Sequence, residues 1–167
     1  MPRGAACAAL GWALVSAAGA AQVPGSAPLQ QYWSDSRQDF WVVATPAGIH
    51  AAAAVFHYRF VRTEAYVLTA ARTGTVPLVL YWNEQRHDNR NVALAASGRD
   101  AVAQGYSEKA VEGYVFAADA AGLVPLKLYE NGRDSITVAT AAGERFARQH
   151  GYRFVSIEGY VYPATGK

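Results

Sequence analysis

Val76-Pro77-Leu78-Val79-Leu80-Tyr81-Trp82 is rewritten 48 residues later as Val124-Pro125-Leu126-Lys127-Leu128-Tyr129, and a weaker copy, Ala27-Pro28-Leu29-Gln30-Gln31-Tyr32-Trp33, precedes both. Each copy is followed at a matching distance by a second signature: Glu64-Ala65-Tyr66-Val67, Glu112-Gly113-Tyr114-Val115 and Glu158-Gly159-Tyr160-Val161. Repetition at a fixed period sets the architecture before any single residue is read. Pro28, Pro77 and Pro125 stand 49 and 48 residues apart and the glutamates 48 and 46, so three units run in register over residues 27–75, 76–123 and 124–167.

Each unit opens on a strand pattern. Leu78 and Leu80, then Leu126 and Leu128, alternate with Val79 and Lys127, the period of two expected when one face is buried. Gln31 breaks this pattern in the first unit, and inside the fold its amide needs a hydrogen-bond partner. Polar turns follow (Ser34–Asp39, Asn83–Asp88, Asn131–Asp134), then a second strand in Trp41-Val42-Val43-Ala44, around Asn91-Val92-Ala93-Leu94 and in Ile136-Thr137-Val138-Ala139, which makes a hairpin. A short helix comes next. Thr45-Pro46 and Thr140 read as helix starts, and Ser97 with Asp100 resembles a capping box. Gly105 and Gly151 read as helix stops, with His57 in their place in the first unit.

Two further strands are expected after each helix, separated by a Glu-Ala or Glu-Gly turn. That gives four strands per unit and twelve in all. A propeller needs a fourth blade, whereas a β-trefoil closes with three such units and leaves no open edge. The predicted fold is therefore all-β, a β-trefoil of three four-stranded repeats with a short helix between strands two and three. An open β-rich sandwich is the alternative.

The runs Val124–Tyr129, Thr137–Glu144 and Gly151–Val161 resemble a repeat found in secreted bacterial and fungal proteins of uncharacterised function. The resemblance covers nearly all of the chain after residue 21 and implies trefoil-like units in threes. It implies no activity. The first unit departs most, with Phe40-Trp41 and Ile49 where the third has Ser135-Ile136 and Glu144.

Residues 1–21 carry Arg3 and then an uncharged, alanine-rich run through Ala21, which reads as a secretory signal peptide cleaved near Gln22 rather than a membrane span. Residues 22–167 are then a single domain, secreted, periplasmic or extracellular. Cleavage would remove Cys7, the one cysteine, and with it any disulfide or thiol nucleophile. Lys and Arg number 15 against 13 Asp and Glu, with no run of either sign, which argues against nucleic acid or an anionic membrane as a partner.

No catalytic apparatus is visible. The four histidines lack metal-ligand spacing, and there is neither a Gly-x-Ser-x-Gly elbow nor a phosphate loop, so no metal, cofactor or catalytic residue is assigned. Glu64, Glu112 and Glu158 recur too evenly for an asymmetric glycosidase pair and are expected to answer Arg37, Arg86 or Arg133. Asp39, Asp88 and Asp134 are expected to bond backbone N–H groups near their turns. An Asp beside an exposed aromatic also suits a sugar, whose hydroxyls donate to the carboxylate while its apolar face packs on the ring.

The positions that differ between units are Trp33 and Trp82 against Glu130, together with Trp41 and Asn89. Trp33, Asp39, Trp41, Trp82, Asp88 and Asn89 are therefore the expected ligand-binding residues. The function read from the sequence is a non-catalytic, lectin-like module for a glycan or cell-surface polysaccharide, with several weak sites acting together. A trefoil protease inhibitor presenting one loop, or a glycoside hydrolase, are the alternatives.

Overall fold

The computed structural model describes residues 23–164, so the leader read at 1–21 lies outside the described residues. In chain order the elements are β1 (Ser26–Ser34), β2 (Asp39–Val43), α1 (Pro46–His50) running on into a π-helical turn (Ala51–Val55), β3 (Arg59–Leu68), β4 (Thr75–Asn83), β5 (Asp88–Val92), α2 (Ala95–Ala103), β6 (Ser107–Phe116), β7 (Val124–Glu130), β8 (Ser135–Val138), α3 (Ala141–Gln149) and β9 (Arg153–Pro163). The chain is mostly β, and every strand pairing is antiparallel. No helix among the described residues is long and apolar enough to cross a membrane.

Strand–strand–helix–strand occurs three times, so among the described residues there are nine strands and not twelve. The expected third and fourth strands of each unit are one strand, and the Glu-Ala or Glu-Gly step between them is a bulge. Leu29 faces Ala65 but Gln30 faces Thr63, which leaves Glu64 without a partner residue. Glu112 is skipped in the same way between Leu78↔Gly113 and Val79↔Val111, and Glu158 between Leu126↔Gly159 and Lys127↔Ile157. A second shift skips Val61, Lys109 and Val155. A bulge re-aims the side chain it extrudes, and each glutamate uses this to leave its own unit.

Glu112 accepts hydrogen bonds from the N–H groups of Ala44 and Thr45 at 2.8 and 2.9 Å. Glu158 accepts from those of Ala93 and Leu94 at 2.8 and 3.0 Å, and Glu64 from those of Ala139 and Thr140 at 3.0 Å each. Every one of these amides belongs to the preceding unit in a closed cycle, at the start of its helix, where donors lack intrahelical partners and negative charge is favoured. The expected pairing of these glutamates with Arg37, Arg86 and Arg133 is corrected accordingly: all three arginines lie exposed on the hairpin turns. Among the described residues, Arg62 is the arginine that ion-pairs with a recurrent glutamate, with its Nε 3.6 Å from Glu64.

Thr45 and Thr140 cap α1 and α3 as expected, accepting from Gly48 N–H and Gly143 N–H. The capping box at Ser97 does not form. Ser97 lies inside α2, where its hydroxyl donates to Glu158 at 2.7 Å, and the neighbouring unit's carboxylate does the capping. His57 takes the positive φ that Gly105 and Gly151 take after the other helices.

β3, β6 and β9 each pair with the other two through Leu68↔Tyr114, Phe116↔Tyr160 and Tyr66↔Tyr162. Approach there is close. A Cβ at Gly113 would lie 2.6 Å from Val67 Cγ2, and one at Gly159 would lie 2.5 Å from Val115 Cγ2. Behind this junction Leu29, Leu78, Leu126, Val67, Val115 and Val161 from all three units form one core. Tyr32, Tyr81 and Tyr129 are buried in satellite clusters, which agrees with a packing role.

Gln31 is fully buried where the other units place Leu80 and Leu128, and neither its Nε2 nor its Oε1 has a protein partner. An unpaired buried amide costs about 1–3 kcal/mol. Gln31→Leu should therefore raise stability by about that amount in urea unfolding. A variant less stable than the parent would show that the amide is satisfied in solution.

Candidate binding seam between the units

Asp39, Asp88 and Asp134 meet at the centre of the molecule. They are 1%, 1% and 4% exposed, and each offers an oxygen lying within 4.8 Å of the others. β2 and β5 start on Asp39 and Asp88 and β8 starts one residue after Asp134, so each hairpin delivers its aspartate to the same point. The bonding is cyclic, in the opposite sense to that of the glutamates. Asp39 accepts from Asn89 N–H at 3.0 Å, Asp88 from Ser135 N–H at 3.0 Å, and Asp134 from Phe40 N–H at 3.2 Å. A tyrosine from the same unit donates to each: Tyr58 to Asp39 at 2.6 Å, Tyr106 to Asp88 and Tyr152 to Asp134.

Three carboxylates this close and this dry cannot all ionise cheaply. Burial pushes Asp39 up to about 7. Burial and then the charges of Asp39 and Asp88 push Asp134 up to about 9, and Asp88 is raised by burial as well. The Tyr106 hydroxyl is pushed up to about 12 by burial and the charge of Asp88, so the tyrosines remain donors. Aspartates so placed are buried and bonded across the unit boundaries. The expected exposure of Asp39 and Asp88 beside an aromatic platform is thereby corrected.

Asp39 nevertheless reaches a surface pocket through its partners. A cavity of about 440 Å³ between the first and second units is lined by Trp41, Phe56, Tyr58, Leu80, Trp82, Asn89 and His87 together with the charged Arg37, Glu84 and Lys109. Its size falls within the usual range for small-ligand sites. Asp39 accepts from Tyr58 OH and from Asn89 Nδ2, the latter at 2.8 Å, which fixes both groups in the wall. With Nδ2 committed to a carboxylate, Asn89 keeps its Oδ1 as an acceptor. Trp41 packs edge-on against Tyr58 at 5.5 Å, and Trp82 Nε1 donates to Glu84 at 2.7 Å, so each indole is held in place.

The two other seams are built differently at the same positions. Between the second and third units Arg90 stands where Trp41 does and Glu130 where Trp82 does. These two residues form an ion pair, with the buried Arg90 guanidinium 4.8 Å above the Tyr106 ring. Between the third and first units Trp33 lies 4.5 Å from Phe40, beside Phe146, in a cavity of about 510 Å³ also lined by Arg59, Val61, His150 and Tyr152. Trp33 Nε1 donates to Asp35 at 2.7 Å.

The structure thus brings Trp41, Trp82 and Asn89 to one pocket, sets Trp33 in another, and puts Asp39 and Asp88 beneath the surface. Sequence reasoning missed Arg37, Phe56, Tyr58 and Lys109. Lys109 carried a usable signal, since it interrupts a position held by Val61 and Val155 in the other units. Glu64, Glu112 and Glu158 are buried and bonded to backbone amides, and the Ala70–Gly74 and Asp119–Gly122 connectors are short exposed turns. Comparison with known proteins finds no matching family model, no matching curated protein and no matching solved structure.

The aspartate cluster makes stability depend on pH. Native carboxyls raised to about 7 and about 9 keep protons that the unfolded chain gives up near pH 4. Their contribution is complete below about pH 4 and is lost as pH rises through the folded values. Asp134→Asn should flatten the fall in melting temperature between about pH 5 and 9 relative to the parent. Parallel curves for the two proteins would refute a shared proton.

Proposed function

We propose that this chain is a secreted, non-catalytic, lectin-like module that binds carbohydrate in the pocket between its first and second units. The observation that carries the reading is the convergence of Trp41 and Trp82, from different units, with Asn89 on one cavity of ligand size. Two braced indoles offer faces to the apolar side of a pyranose, and Asn89 Oδ1 accepts from a hydroxyl. The cavity at Trp33 is a second subsite, and the seam closed by Arg90 and Glu130 takes no ligand.

The three strand–strand–helix–strand units are read here as a trefoil-like arrangement about a common axis, each bulged long strand standing for two of the four strands a trefoil repeat requires. The cyclic bonding of the glutamates and aspartates supports that reading. The bonded glutamates weigh against a glycoside hydrolase, and the short connectors weigh against an inhibitor loop.

Binding on a glycan array should fall about tenfold or more in Trp41→Ala and in Trp82→Ala, and by less in Trp33→Ala, with the melting temperature checking the fold of each. Binding unchanged by both Trp41→Ala and Trp82→Ala would overturn the assignment.

A further inference from the structure

We infer that the Trp41–Trp82 pocket takes a sugar bearing a carboxylate, a uronic or a sialic acid, and that Arg37 and Lys109 receive that carboxylate. This rests on the carbohydrate reading above and narrows it. Arg37 and Lys109 line the same cavity, and among the described residues neither is ion-paired with a carboxylate. Glu84 is the one acidic residue in that lining, and its Oε2 accepts from Trp82 Nε1. The cavity therefore sets two cations against a single carboxylate, and one oxygen of that carboxylate is already engaged by the Trp82 indole.

Both cations are positioned by the fold. Arg37 sits over the Phe56 ring at 5.0 Å, a cation–π contact that holds the guanidinium on the pocket wall. Lys109 is the residue extruded by the second bulge of β6, between Leu80↔Ala110 and Tyr81↔Glu108. A bulge turns its extra side chain off the strand's alternation, and Lys109 lines the cavity.

The neighbouring seams show that this charge is particular to one pocket. Val61 and Val155 occupy the corresponding bulges. In the Trp33 cavity Arg59 is already neutralised, with Nη2 3.1 Å from Asp35. In the third seam Arg90 is neutralised by Glu130 and Asp100. Among the described residues, the pocket between the first and second units is the one where two tryptophans stand beside cations without a carboxylate partner, and charge-assisted bonds to a carboxylate are the strong interactions such cations make.

The test is calorimetric titration of the full chain with a galacturonate tetramer and its methyl ester, and with sialyllactose and lactose. The parent should bind at least one acid about tenfold or more tighter than its neutral counterpart, the low end for charge-assisted bonds, and added salt should weaken the preference. Whichever acid is preferred identifies the source of the carboxylate. Lys109→Val installs the residue of the other two units, and with Arg37→Gln it should abolish the preference, the acid losing about tenfold or more relative to its neutral counterpart.

Equal binding of acid and neutral forms, still lost in Trp41→Ala, would overturn this inference and leave the carbohydrate reading standing. An acid preference that survives the double variant would overturn it too. Failure of all four ligands to bind would count against both readings.

Discussion

Glu64, Glu112 and Glu158 are each thrown out of register by a bulge, and each is then capped by two backbone N–H groups of another unit. A buried carboxylate without donors is among the most costly groups a fold can contain. These three become tolerable only when the neighbouring helix start is in place. The aspartates repeat the arrangement in the opposite sense, since Asp39, Asp88 and Asp134 depend on amides of the following unit. Every seam is thus fastened from both sides, and two of the cavities lie at seams.

Within that frame the three seams differ by a few side chains. Arg90 and Glu130 close one with an ion pair, Phe40 and Phe146 line another with apolar rings, and Trp41 with Trp82 leaves the third open. The backbone is the same in kind at all three, so recognition resides in the substitutions. Asp39 links the two layers. It is part of the fastening at the centre, and through Tyr58 and Asn89 it also fixes the pocket wall.

Much of the fold was legible in the sequence, because repeat spacing, hydrophobic alternation and the Thr45 and Thr140 caps are local signals. The bulges were not. A Glu-Gly step between two β-patterned runs reads equally as a turn or as a bulge, and only the register of the partner strand decides. The capping of α2 by Glu158 was invisible for a related reason, since the acceptor lies far along the chain from the helix it caps.

At the candidate site, comparing units picked out Trp41, Trp82 and Asn89, whereas Asp39 and Asp88 were placed at the surface because a polar turn residue ordinarily is. Their burial follows from three hairpins converging on one point. Lys109 and Phe56 escaped notice because each stands in a segment read for its secondary structure alone.

The fastening also bears on how the chain reaches its native state. No unit supplies every donor to its own buried acids, so a fragment holding one or two units leaves some carboxylates without part of their native partners. Because the partners lie 64 to 76 residues away for the glutamates and 47 to 94 for the aspartates, local folding gains little until the last unit is available. The repeats are therefore not independent modules strung together as in a solenoid. The buried acids of each segment draw donors from both of the others, so the burial of one depends on the other two.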